Sequence, residues 1–91
     1  MYLPDDIDRK LRLEYQPLEV NEIHAAFEDL QKSNTKVSAR VFRCIVHRAE
    51  GNVNRLLELV DNARTDYRDV ILWAEYDQRG KTRLHDFNKP F

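Results

Sequence analysis

Apolar residues recur along this chain mostly at helical spacing. Val20, Ile23, Phe27 and Leu30, with Ala26 beside them, fall at i, i+3, i+7 and i+10. At 100° per residue they share one stripe, which predicts a helix over residues 18–32. Ser33-Asn34-Thr35 supplies a turn, because such side chains hydrogen-bond their own backbone. A second helix is predicted over 38–50, with Ser38 as N-cap and a hydrophobic staple between Val37 and Phe42. Its stripe is Phe42, Ile45, Val46 and Ala49, and Gly51 stands where a left-handed residue closes a helix. Asn52 then caps a third helix. From Val53 to about Gln78 there is neither Gly nor Pro. Val53, Leu57, Val60, Tyr67, Ile71 and Ala74 stay within one sector of a continuous helix. Asp66 could divide it by acting as a second N-cap, so one long or kinked helix competes with two.

The two ends of the chain are less regular. Over residues 1–17, Pro4 followed by Asp5, Asp6 and Asp8 signals a helix start. Leu11, Leu13 and Tyr15, alternating with polar residues, signal a strand instead, and both readings stay open. Residues 81–91 have no helical period and read as an extended tail anchored by Leu84, Phe87 and Phe91. The fold class expected is all-α: a single domain spanning 1–91, built as a bundle of three to four helices with that tail. The helices at 18–32 and 38–50 are expected to pack antiparallel across their short connection. The predicted core is Ile23, Phe27, Leu30, Phe42, Ile45, Ala49, Leu56, Leu57, Val60 and Ile71.

Composition narrows the function classes. With 91 residues, 42% apolar and 34% charged, the chain can bury a modest core. Two glycines leave no room for a Gly-rich phosphate loop. No apolar run approaches a membrane span, and Met1–Asp6 lacks the basic and apolar regions of a signal peptide. A lone cysteine fits a reducing compartment, so a cytoplasmic protein is expected. A net charge of −1 and a pI near 6.3 give no global attraction to nucleic acid.

Four constellations could carry chemistry. Cys44 and His47, at i and i+3, have the spacing of two zinc ligands or of a thiolate–imidazolium pair. On the helical wheel both sit toward the polar side and should be partly accessible. Only His24 and His85 remain as nitrogen ligands, at no motif spacing, so no metal, cofactor or catalytic residue is assigned. Lys36, Arg40, Arg43 and Arg48 form a basic face suited to anions. The helix before it carries Glu19, Glu22, Glu28 and Asp29, so intramolecular pairing competes with any nucleic acid. Asp66, Asp69, Glu75 and Asp77 read as solvated helix charges. Finally, Leu72, Trp73 and Tyr76 lie opposite Tyr67, Ile71 and Ala74, making the last helix apolar nearly all round. Either the tail covers this second face, laying Leu84 and Phe87 on it, or another chain does.

The expected function is a non-catalytic interaction or accessory module. Its candidate protein-interaction face is Leu72, Trp73, Tyr76 and Phe87, and its partner is another protein or a second copy. Nucleic-acid binding through the basic face, or a small enzyme or metal site at Cys44 and His47, are the alternatives.

Overall fold

The computed structural model describes residues 3–91 and contains four helices: α1 (Asp5–Glu14), α2 (Pro17–Ser33), α3 (Ala39–Ala49) and α4 (Val53–Glu75). No strand occurs among these residues, only an isolated antiparallel bridge between Tyr76 and Arg83. The expected all-α bundle is therefore the observed fold, and the Met1–Tyr2 end of the signal-peptide argument lies outside the described residues.

The N-terminal ambiguity resolves as helix. The Pro4 carbonyl accepts from the Ile7 and Asp8 N–H groups, and three aspartates occupy the first turn. Ile7 and Leu11, one turn apart, are buried, whereas Leu13 is left 80% exposed. The alternation that suggested a strand depended on Leu13, which α1 turns to water. Pro17 opens α2, and the Glu19 carboxylate accepts from the Gln16 N–H at 2.9 Å. The Val20, Ile23, Phe27 and Leu30 stripe is buried as expected. Ser38 is the N-cap residue of α3, although its hydroxyl makes no capping bond. That helix closes through two left-handed residues, Glu50 (φ 52°) and Gly51 (φ 78°). Asn52 then caps α4, its side-chain oxygen accepting from the Arg55 N–H at 3.1 Å. Replacing Asn52 with Ala is expected to cost about 1 kcal/mol in a denaturation titration.

The helix α4 is kinked. Asp66 has an extended backbone (φ −158°, ψ 105°), and its carboxylate accepts from the Arg68 N–H at 3.0 Å. It is thus the N-cap of the second half. The break resets the helical phase: Leu56, Leu59, Val60, Ala63, Val70 and Ala74 are buried. Leu57 and Ile71, expected in the core, are only partly buried against it. The other predicted core residues are buried.

The packing differs from the expected antiparallel pair of α2 and α3. Helix α4 packs along both, while α1 lies against α2 and α3. α2 and α3 meet chiefly through side chains, with the Phe27 and Phe42 rings stacked at 4.5 Å and 20°. These large rings fill the space between the helices and hold their backbones apart. No helix among the described residues is long and apolar enough to cross a membrane.

Candidate functional site

The end of α4 and the segment after it carry the densest polar network of the molecule. Gly80 (φ 68°) reverses the chain, with the Asp77 carboxylate accepting from the Lys81 N–H at 3.0 Å. The Leu84 and His85 N–H groups then donate to the Glu75 carbonyl. The Glu75 side chain is wholly buried. Its carboxylate accepts a guanidinium fork from Arg40 (2.8 and 2.7 Å), Arg83 at 2.8 Å and the Phe87 N–H at 3.2 Å. Burial, the largest single influence, pushes this carboxyl up. The Arg40 fork, the Phe87 N–H and Arg83 together outweigh it and bring it down to about 2. The expectation that Glu75 is a solvated helix charge is therefore corrected. The phase change at the kink turns it inward, where long arginines from α3 and the tail can reach it.

A second clamp lies beside the first. Arg43, 7% exposed, donates a fork to Asp6 of α1 (2.8 and 3.1 Å) and a further bond to the Phe87 carbonyl at 3.1 Å. Asp6 also accepts from the Phe91 N–H at 3.2 Å. Its carboxyl is held below the usual range, chiefly by the Arg43 hydrogen bonds.

These clamps take apart the predicted anion-binding face. Arg40 and Arg43 are spent on Glu75 and Asp6, so the intramolecular pairing is real, but its partners come from α4 and α1 rather than α2. Lys36 stands in the loop before α3, its N–H donating to the Asn34 side chain, and Arg48 is exposed at the far end of that helix. Two of the four cations of that face are thus paired within the chain.

Of the Cys44–His47 pair, only His47 reaches solvent. Cys44 was expected at the accessible flank of its helix, but α3 is covered on more sides than a simple wheel implies, and the thiol is fully buried. Burial first, then the Glu75 carboxylate 3.8 Å away, pushes the Cys44 thiol up to about 12. Native protein is expected to resist iodoacetamide near neutral pH and to react at one thiol once denatured. Rapid alkylation of the folded chain would contradict this burial. His24 lies 3.2 Å from Asp8 of α1, and no group of three or more His, Cys, Asp or Glu side chains among the described residues is placed to hold a metal ion.

The tail folds back, but not as predicted. Phe87 is 7% exposed and packs against His47 (ring centroids 4.9 Å), His85 (5.4 Å) and Phe91 (5.8 Å). It is held there by the bonds of its own N–H and carbonyl to Glu75 and Arg43, away from Trp73. Of the proposed interaction face, Phe87 is thus buried on α3 and Tyr76 is half-buried. Leu72 and Trp73 stay open, at 43% and 45% exposure. Leu84, the tail residue nearest that face, is 60% exposed.

Leu72, Trp73, Tyr76 and Leu84 line a cleft of about 570 Å³ whose other wall is formed by His47, Arg48 and His85. Arg79 stands at its rim. Trp73 and Arg48 also border a shallower depression of about 210 Å³, lined by Arg55, Glu58 and Leu59. The indole therefore forms a ridge between two hollows. Arg48 and Arg79 form no ion pair among the described residues. The helical wheel identified Leu72 and Trp73, whereas the sequence named His47 and His85 only as candidate metal ligands and gave no sign that they meet. Comparison with family models, curated proteins and solved structures returns no match, so geometry alone carries the functional reading.

Proposed function

We propose that this chain is a non-catalytic interaction module of the cytoplasm that binds a protein partner through the cleft around Trp73. The observation that carries this reading is the contrast between two adjacent surfaces. The buried charges are closed on one another: Glu75 on Arg40 and Arg83, and Asp6 on Arg43. Next to them, Leu72, Trp73 and Leu84 keep large apolar surfaces in water around a concave site. Tryptophan and arginine are the side chains most often found at the energetic centre of interfaces, and here Trp73 stands beside Arg48 with both hollows open to them. The buried Cys44 thiol and the arginine-paired Glu75 carboxylate are withdrawn from the cleft, so neither of these two serves it as nucleophile or general base.

A photo-crosslinking residue in place of Leu72 tests this in native lysate. The expected result is a discrete adduct, either with a partner chain or with a second copy, that is lost when Trp73→Ala is added. The absence of any adduct, or one indifferent to Trp73, would contradict the proposal.

A further inference from the structure

One wall of the cleft depends on a contact between two histidines from different parts of the chain. His47 comes from α3 and His85 from the returning tail, and their ring centroids are 4.6 Å apart. Both rings also touch Phe87, the apolar anchor of the tail. The charges around His47 come from each neighbouring segment. Lys10 reaches it from α1, Arg48 and Glu50 lie at the end of α3, and His85 faces it from the tail. On α4, the Glu75 carboxylate is spent on Arg40, Arg83 and the Phe87 N–H. Beside His85, Asp86 is paired with Arg83. Glu50 acts on His47 in the opposite sense to Lys10, Arg48 and the second imidazole, and Lys10 is itself paired with Glu14 at 3.0 Å.

We propose that His47 and His85 form an acid-released clasp: protonating His47, whose ring touches His85 and Phe87, loosens residues 85–91 and, with them, the His85 side of the cleft. A cationic ring at His47 is poorly solvated against Phe87 and His85, and the neighbouring Lys10 and Arg48 repel it. Burial, followed by His85 and Lys10, holds His47 below its ordinary 6.5. The docked tail thus favours the neutral ring, while the released tail lets it take up a proton. Docking is strongest above the ordinary histidine value and weakens as pH falls through it toward the lowered value. Glu75 and Asp6 remain ionised in that window, because arginines hold both carboxyls low. The acceptors of the Phe87 and Phe91 N–H groups thus stay in place and recapture them after each opening, so the tail loosens locally while the bundle stays folded. It stands independently of any partner, since its signature lies in the tail.

Amide hydrogen exchange of the full chain, corrected for the intrinsic effect of pH, reads the clasp directly. Between about pH 7.5 and about pH 5, the opening constants of the Phe87 and Phe91 amides are expected to rise several-fold. That of Val46, in the core of α3, should stay level. His47→Asn should abolish the rise, and His85→Asn, an exposed substitution compatible with the fold, should reduce it. A pH-independent tail, a rise that survives His47→Asn, or an equal rise at Val46 would each overturn the proposal.

Discussion

Replacing Glu75 with alanine should lower the unfolding free energy by roughly 3–5 kcal/mol, the cost of removing one partner from a buried charge pair. The carboxylate accepts bonds from Arg40, Arg83 and the Phe87 N–H, and all three lose a strong acceptor together. Much of the loss comes from the charge left at Arg40. Combining Glu75→Ala with Arg40→Ala should therefore cost clearly less than the sum of the two single changes. Acid acts on the same group. Its pKa is depressed from 4.5 to about 2, so its contribution is complete above the ordinary carboxyl value and disappears as pH falls through about 2. By linkage this amounts to about 3 kcal/mol. Deleting residues 82–91 removes Arg83 and the Phe87 N–H from that carboxylate and should lower the melting temperature as well. Urea titrations of each variant near neutral pH check these values. A loss below about 1 kcal/mol for Glu75→Ala would place the carboxylate in solvent.

Phe27→Ala and Phe42→Ala should each cost roughly 3–5 kcal/mol, a large part of the 5–15 kcal/mol typical of a whole domain. The rings are 0% and 2% exposed and stack at 4.5 Å. They are the main bridge between α2 and α3, whose backbones stand apart, so neighbouring side chains cannot collapse into the space without moving a helix. Because each ring is the other's neighbour, the double variant should cost less than the sum. Chemical denaturation of the three variants measures this directly. A change near that of a surface substitution would show that the rings do not form the interhelical contact.

The helices were legible because their signals are local. The Val20–Leu30 stripe, Ser38 and Asn52 at helix starts and Gly51 at a helix end lie within a turn of what they determine. Asp66 was legible as a possible cap, but its effect was not. One extended residue shifts the phase of everything after it, turning Glu75 inward and leaving Ile71 at the margin. From a continuous wheel, Glu75 is one more helix carboxylate. Its burial depends on Arg40 and Arg83, which arrive from 35 residues before it and 8 residues after it. Such pairings are fixed by tertiary geometry and leave no periodicity in the sequence. Leu72 and Trp73 were found because an apolar second face is again a local pattern. Phe87 was misplaced because apolar burial alone was used to seat it, whereas two hydrogen bonds from its backbone determine where it sits.

The most direct test of the interaction reading compares the affinity of the crosslinked partner for the native chain and for Trp73→Ala, with the melting temperature of both chains recorded. Trp73 is half in water, so its removal should disturb the fold little and the interface strongly. The result predicted is at least tenfold weaker binding, about 1.4 kcal/mol or more, at a nearly unchanged melting temperature. Unchanged binding, or a loss of stability as large as that of a core phenylalanine, would contradict it.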